Sequence, residues 1–460
     1  MTSVDNAELH RSFIDSKRPH ILQITNHGIH QWDVIPGLPD TGGQNVFVNH
    51  MTDTLADLGY RVTIVNRGGF KHPTTGEART GLHYRDSHQR ILYIEDDTPA
   101  FVRKEDMDEH TPALASFLGR FLDEEGTSVD LIVSHYWDGA KVGALLNRDF
   151  DTRVTHVWVP HSLGAVKKRN MSPDTWTDLR IDERIATERS LIGELDGIAA
   201  TSSRIRESLL EDYGYDSKLF LPPCVDADRF HARQVGPEDD TWAFLAETTG
   251  LAQDELRHCK IVTEISRTDS TKRKDVLIRA FAEVHRELPD TLLVVAIDDT
   301  EADLSAQLKG LVQELGVDSH VAAVGNVWER LPKLYAVTEV YCSPSVMEGF
   351  GMAVQEAAAT RVPVVSSDLV PFVTEYLLGS DVREVPIDAS DGAEPLLLGE
   401  GAIVVPADDV AGFAQALHLL LTDDELRRRM GDRAFDITIP YFTWRSMTQR
   451  FLADVGFDGE

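Results

Sequence analysis

The run Lys260-Ile-Val-Thr-Glu-Ile-Ser266 is followed at once by Arg267 and, five residues later, by Lys272. Apolar and β-branched residues crowd it, with little of the alternation of a half-solvated strand, which predicts a strand buried on both faces. The two cations stand at its carboxyl end, where open α/β sheets bind ligands. The same rhythm extends outward in both directions. After this run come LLVVAI, HVAAVGNV, EVYCSPS, VPVVSS and GAIVVP; before it come HILQIT, RVTIVNR, RILYIE, LIVSHY, THVWVPHS and GIAATS. Longer amphipathic stretches separate these runs, as parallel strands with covering helices require. The expected fold class is α/β, with two doubly wound Rossmann-like domains facing a central cleft.

A proline pair ends regular structure, so the boundary is expected at Leu221-Pro-Pro-Cys-Val-Asp226. This gives an N-terminal domain over 1–222 and a C-terminal domain over 223–435. The final stretch holds Phe435, Tyr441, Phe442, Trp444, Met447 and Phe451. That aromatic density predicts that 436–460 form a helix returning to the first domain.

The chain has 460 residues, with 45 basic against 76 acidic side chains and a net charge of −31. Such a balance argues against sequence-independent binding to nucleic acid or to an anionic membrane surface. The basic residues comprise 12 Lys and 33 Arg, a bias that both adaptation to high salt and a GC-rich genome would produce. No apolar run approaches the roughly 20 residues that span a bilayer, and the polar start MTSVDNAELHRSFIDSKRPH lacks the apolar core of a signal peptide. The expected location is cytoplasmic. Cys224, Cys259 and Cys342 are far apart and odd in number, so unpaired thiols are expected. Oligomeric state is not legible.

Glu348-Gly-Phe-Gly-Met-Ala-Val-Gln-Glu356 places two carboxylates eight positions apart around a turn that opens a helix. Gly349 and Gly351 let backbone N–H groups approach an anion at the helix N-terminus, and Glu356 falls on the helix itself. The pattern reads as a nucleotide-sugar site; in the plainer reading Glu348 caps a helix and Glu356 is solvated. In the first half, Gly37-Leu-Pro-Asp-Thr-Gly-Gly-Gln44 stands between a strand and a helix. Gly42 and Gly43 either admit a phosphate or sugar or serve a tight turn of positive φ, and Gln44 offers a donor and an acceptor to the same space. Ser134-His-Tyr-Trp-Asp138 and Pro160-His-Ser-Leu-Gly164 end two further strands, the second trailed by Lys167, Lys168 and Arg169. His161 is placed to reach an acceptor hydroxyl, or it merely binds a loop. Three consecutive cations in so acidic a chain suit a phosphate-bearing substrate; Lys104, Arg184 and Arg189 are candidates for further phosphate contacts. Asp298-Asp299 and Asp408-Asp409 lack further ligands nearby, so no metal is assigned.

Together these motifs resemble the retaining glycosyltransferases of the two-Rossmann (GT-B) kind, and within them the sucrose-phosphate synthase and mannosylfructose-phosphate synthase group, over roughly Pro19 to Leu452. The resemblance implies that Glu356 holds a ribose and that Glu348 contacts donor-sugar hydroxyls. It implies that Arg267 and Lys272 bind the diphosphate, while the amides of Phe350, Gly351 and Met352 line the donor. Gly42 and Gly43 are implied near the donor phosphate and acceptor, and His161 beside the reacting carbon. His161, Glu348, Arg267 and Lys272 form the expected catalytic set. Gln44, Lys104, Asp138, Ser162, Lys167 and Arg184 form the expected acceptor set. The chain departs from relatives at Cys224, where many have Gly, and at Asp368-Leu-Val-Pro-Phe372 with the extra residues through about Gly399, where relatives usually carry a Gly-Gly loop.

The implied activity is transfer of a hexosyl group, with retention, from a nucleoside-diphosphate sugar (UDP-glucose favoured) to a sugar phosphate (fructose 6-phosphate favoured). No cofactor and no metal are required on this reading. GDP-mannose-dependent mannosylfructose-phosphate synthesis is the alternative within the group. A nucleotide-sugar epimerase, a phosphorylase and a silent sugar-phosphate binder are alternatives of other classes.

Overall fold

The computed structural model describes residues 6–35, 38–150, 153–298, 301–387 and 394–457. Gly37 of the first glycine motif, Asp299 of one acidic pair and 388–393 of the insertion before Gly399 lie outside the described residues. The chain divides into two compact units, Met1–Pro223 with Trp444–Glu460, and Cys224–Thr443.

The first unit is built on an eight-stranded sheet of order β3-β4-β2-β1-β5-β6-β7-β8. Its strands are β1 His20–Ile24, β2 Arg61–Arg67, β3 Gly81–Tyr84, β4 Gln89–Ile94, β5 Leu131–His135, β6 Thr155–Val159, β7 Gly197–Ala200 and β8 Leu219–Phe220. All neighbours run parallel except β3 on β4. Every residue of β1, β2, β4 and β5 is buried, whereas edge strand β3 alternates exposed and half-buried positions. That contrast follows from helices covering both faces of the interior strands. Helix starts and stops are local: Ser202 accepts from the Ile205 N–H to open Ser203–Tyr213, and left-handed Gly214 closes it.

The C-terminal helix Trp444–Asp454 packs on helix Gly43–Asp57 of this unit. The Trp444 ring stacks on His50 at 5.5 Å and meets Phe47 edge-on at 4.8 Å. The chain stays in the second unit through Thr443, later than the residue 436 expected from aromatic density. Helix Asp424–Thr438 accounts for the delay, since Gly431 lies so close to the Arg361 carbonyl that a Cβ there would stand 2.2 Å from its oxygen.

The second unit carries a sheet of order β11-β10-β9-β12-β13-β16-β15-β14. Its strands are β9 Lys260–Glu264, β10 Thr291–Ala296, β11 Val321–Val324, β12 Val340–Ser343, β13 Val364–Ser367, β14 Arg383–Val385, β15 Leu396–Leu398 and β16 Ala402–Val405. Strands β9 to β13 and β16 form the parallel part; β15 and β14 add an antiparallel edge. Helix Lys274–Glu287 buries Val276, Leu277, Ile278, Phe281 and Val284 against this sheet, each contributing about 1.5–3 kcal/mol.

Strand order reverses between β1 and β5 in the first unit and between β9 and β12 in the second. Such switch points leave a crevice at the carboxyl ends of the strands. The loops after β1, β5, β9 and β12 carry the motifs singled out above, and the loop after β6 adds Pro160 to Leu163.

Candidate active site

In the first unit, Lys104, Glu105, Tyr136, Trp137, Lys167 and Arg184 line an open recess with Leu179 and Ile181. Four chain segments meet there. Tyr136 follows β5 directly and takes the left-handed conformation (φ 65°), as does His161 after β6 (φ 57°) and Asp40 in the first glycine motif (φ 48°). Non-glycine residues held there are strained, and such strain concentrates at ligand sites.

Arg184 is buried on helix Ile181–Ile192 and is bound from several sides. Its Nε donates to Glu188 Oε1 at 2.7 Å, Nη1 donates to the Tyr136 hydroxyl, and Nη2 donates to the Ser162 carbonyl at 2.6 Å and to Ser162 Oγ at 3.1 Å. Burial opposes the guanidinium charge, but Tyr136 and Glu188 outweigh it and hold the group above its ordinary range. Lys167 Nζ donates to the Tyr136 hydroxyl at 3.2 Å. Lys104 Nζ is paired with Asp40 and with Glu105 at 3.2 Å, and its backbone N–H also donates to Asp40. Burial opposes the Lys104 charge, and the Asp40 hydrogen bond and the two carboxylates overcome it, raising the ammonium above its usual value.

Several expectations for this unit require correction. Of the run Lys167-Lys168-Arg169 only Lys167 lines the recess; Lys168 pairs with Asp182 at 2.5 Å and Arg169 with Asp212 at 2.6 Å. These residues sit on helix Gly164–Asn170, where successive side chains diverge by about 100°. Arg189 is spent on the Asp212 carbonyl at 3.2 Å and lies outside the recess lining. Asp138, expected to contact acceptor, is fully buried. It accepts from the His27 N–H at 3.0 Å and the His27 ring at 2.9 Å, so it braces the loop after β1.

Gly42 and Gly43 open helix Gly43–Asp57. Gly42 is extended (φ 178°) and a Cβ at either glycine would meet nothing within 4 Å. The tight turn of positive φ is therefore absent here, and the two glycines leave open backbone at a helix N-terminus. The Gly42 N–H is already taken by the Asn45 side chain at 2.9 Å. The Asn45 and Val46 N–H groups donate to the Gly42 carbonyl at 3.0 and 3.3 Å, which leaves the N–H groups of Gly43 and Gln44 without an intrahelical acceptor. Gln44 Nε2 donates to Thr25 Oγ1 at 2.9 Å at the end of β1. The half-buried His161 ring contacts His135 Nδ1 through Nε2 at 2.9 Å and the Phe47 ring edge-on at 4.8 Å. Desolvation, then the nearby His27, lower its pKa to about 3.

In the second unit, the loop after β12 docks on the loop after β9. The Val346 N–H and the Ser345 hydroxyl both donate to the Thr271 carbonyl, at 2.8 and 3.2 Å. This contact brings Lys272 Nζ onto Glu348, an ion pair with both side chains largely shielded. Arg267 is exposed, and its side chain makes no hydrogen bond or ion pair with a described residue. Beneath it, buried Lys274 bonds Glu264 at 2.5 Å and the Ser266 carbonyl at 3.1 Å, anchoring the loop.

Gly351 has φ 114°, and a Cβ there would lie 2.9 Å from Val370 Cγ1, so both conformation and packing demand glycine. Val370 and Phe372 come from the segment Asp368-Leu-Val-Pro-Phe372, and both are buried against this turn. The Phe350 ring packs with Phe372 and Phe442, at 5.5 and 6.0 Å. Phe350 thus contributes backbone, not its side chain, to any ligand surface. Met352 begins helix Met352–Ala359, whose first N–H groups are open. On that helix, Glu356 receives the Tyr335 hydroxyl at 3.5 Å. Desolvation raises its pKa to about 8, while Arg229 and Tyr335 act against the rise.

Sequence reasoning missed Tyr136, His27 and Arg229. Tyr136 lay inside the quoted Ser134–Asp138 motif; its position directly after a strand was the available signal. Among the described residues no group of three or more His, Cys, Asp or Glu could hold a metal ion, Cys224, Cys259 and Cys342 form no disulfide, and no helix is long and apolar enough to cross a membrane.

Two mostly parallel α/β units with motif-bearing loops at their switch points match the domain plan of the GT-B fold. Residues 255–436 match the family model of glycosyl transferases group 1, and 41–229 match that of glycosyltransferase family 4. The chain is 30% identical to a mannosylfructose-phosphate synthase of Agrobacterium fabrum across 75% of its own length and 76% of the relative. It is 31% identical to a D-inositol 3-phosphate glycosyltransferase of Nocardia farcinica, covering 87% and 81%. A solved sucrose-phosphate synthase from Thermosynechococcus elongatus has a like fold, with TM-score 0.68 at 23% identity over 94% of this chain and 97% of that one. The protein belongs to the group 1 glycosyltransferases.

Proposed function

We propose that the protein transfers a hexosyl group, with retention, from a nucleoside-diphosphate sugar to a sugar phosphate, with UDP-glucose and fructose 6-phosphate the favoured pair. One observation carries this reading: in a chain of net charge −31, Lys104, Lys167 and Arg184 converge with Tyr136 on one recess. That is a place for a phosphate monoester whose sugar hydroxyls meet Tyr136, Ser162 and Gln44. The names of both curated relatives, a mannosylfructose-phosphate synthase and an inositol 3-phosphate glycosyltransferase, support a phosphorylated polyol as acceptor.

In the second unit, Glu356 takes the ribose diol and Glu348 the donor-sugar hydroxyls. Arg267, Lys272 and the N–H groups at Met352 meet the diphosphate, neutralising charge as the glycosidic oxygen departs. These groups supply the electrostatic work within the chain, so no metal is assigned to the reaction, and His161 is the residue assigned to the reacting sugar. A GDP-mannose donor is the second reading, supported by the mannosyl relative; an inositol phosphate acceptor is supported by the other.

The test is release of nucleoside diphosphate by purified protein. UDP-glucose, ADP-glucose and GDP-mannose are each offered with fructose 6-phosphate, glucose 6-phosphate, inositol 3-phosphate, glycerol 3-phosphate or no acceptor. Release with one donor only when a phosphorylated polyol is present is expected. Equal release without acceptor, or turnover of unphosphorylated sugars alone, would sink the reading.

A further inference from the structure

Four side chains of the first unit form one hydrogen-bonded series that ends at His161. The Thr52 hydroxyl, on helix Gly43–Asp57, donates to the Val48 carbonyl at 2.8 Å, which leaves its oxygen as an acceptor. Gln23, in the middle of β1 and fully buried, turns Nε2 toward that oxygen at 2.5 Å and toward the Val48 carbonyl at 3.4 Å. A carbonyl oxygen only accepts, so the amide nitrogen of Gln23 must face the helix.

Gln23 Oε1 is thereby turned to His135 Nε2, 3.0 Å away. An amide oxygen only accepts as well, so the proton of His135 sits on Nε2. A neutral imidazole has one proton, and Nδ1 of His135 is left as a bare acceptor. It lies 2.9 Å from His161 Nε2. That nitrogen must therefore hold the proton of His161, and His161 Nδ1 is bare in turn.

The series stays neutral because nothing in it can balance a positive charge. Gln23 and His135 are fully buried, and no carboxylate of a described residue joins the series. Desolvation and the neighbouring His161 and His30 rings push His135 well below its ordinary range. His161 Nδ1 has no hydrogen-bond partner among the described residues and is not sealed from solvent, so it is open to a ligand.

We propose that Gln23 and His135 are positioning residues that lock His161 in the Nε2-protonated tautomer, so that the site offers Nδ1 as a hydrogen-bond acceptor to a substrate hydroxyl. The opposite tautomer would present an N–H, suited to a phosphate or carbonyl oxygen. The polarity of the series thus decides which atom of a sugar ligand His161 recognises. Its kinetic consequence rests on the transferase reading above; the tautomer itself does not.

The experiment uses the full chain with ring-15N-labelled histidine and a long-range 1H–15N correlation spectrum at neutral pH, with the His161 signals assigned by their loss in His161→Gln. Bare Nδ1 and protonated Nε2 are expected, whereas the reverse tautomer or an imidazolium overturns the proposal. Gln23→Met, which removes the acceptor for His135, should mix the tautomers. It should also lower kcat/KM about tenfold, the scale of one lost hydrogen bond. His135→Asn, whose Oδ1 can accept from His161 Nε2, should keep the tautomer and most of the activity, and His135→Leu should keep neither. Full activity with an unchanged tautomer in His135→Leu would refute the positioning role. If the tautomer is as expected but no phosphorylated polyol is turned over, the substrate reading fails and the series stands.

Discussion

The two strand-end constellations differ in how much of their hydrogen-bonding capacity the folded chain has already used. In the first unit, Arg184 has committed four of its donor hydrogens to Glu188, Tyr136 and Ser162, and Lys104 stands between two carboxylates. In the second unit, Arg267 is exposed and unengaged by described residues, and Lys272 has the single ion-pair partner Glu348. The first arrangement is set before ligand arrives; the second keeps Arg267 exposed and Lys272 on one partner, so fewer of its donors are committed. Preorganisation lowers the cost of binding a small polar acceptor. Uncommitted donors suit a diphosphate whose charge grows as a bond breaks.

The sharpest way to break this contrast is at its ends. Lys272→Ala should lower kcat about 10²- to 10³-fold if the ammonium meets the departing diphosphate, with the circular dichroism spectrum and Tm close to wild type. Near-normal turnover would remove Lys272 from the site. Arg184→Ala should do the reverse and damage the fold. It leaves the fully buried Glu188 without its guanidinium, a loss of about 3–5 kcal/mol. That is a fall in Tm of the order of 10 °C. An unchanged Tm would mean that the first site is no more preorganised than the second.

Glu356 gives a finer test. Its folded pKa of about 8 stands above the ordinary 4.5, so the protonated form favours the fold. That stability is fully present below about pH 4.5 and is lost as pH rises through about 8. Glu356→Gln cannot ionise, so its Tm should exceed that of wild type above pH 8, with no such gain below pH 4.5. Nucleotide affinity should fall about tenfold for a lost hydrogen bond to the ribose diol. A variant that gains stability without losing affinity would make the buried carboxyl a structural defect unrelated to ribose binding. The smallest effect expected is that of chelation. If chain cations alone neutralise the leaving group, EDTA should leave the rate within about twofold, and abolished activity would assign that task to a metal.

Much of the fold was legible because a buried parallel strand must be a short apolar run, and such runs recur from His20 to Val405. The motif loops were legible for the same reason, since they follow those runs. Side-chain direction was not. Three adjacent cations on helix Gly164–Asn170 look equivalent in sequence, yet the helix turns two of them to surface carboxylates. Asp138 lies in the first turn of a helix beside the loop after β1 and is consumed by His27, a partner 111 residues away in sequence. Gln23 and His135 were invisible as a pair because parallel strands β1 and β5 bring them together across 112 residues. The return to the first unit was misplaced because aromatic residues also build the core around Phe350, Phe372 and Phe442.

The central claim, that the first unit recognises a phosphorylated acceptor, rests most directly on Lys167, which lines the recess and donates to Tyr136 at 3.2 Å without a carboxylate partner among the described residues. The decisive measurement is kcat/KM for fructose 6-phosphate and for fructose, in wild type and Lys167→Ala, at saturating donor. Loss of one charge-assisted contact should cut the preference for the phosphorylated sugar about tenfold or more, through KM for fructose 6-phosphate, with fructose turnover unchanged. An equal preference in both proteins would contradict the account.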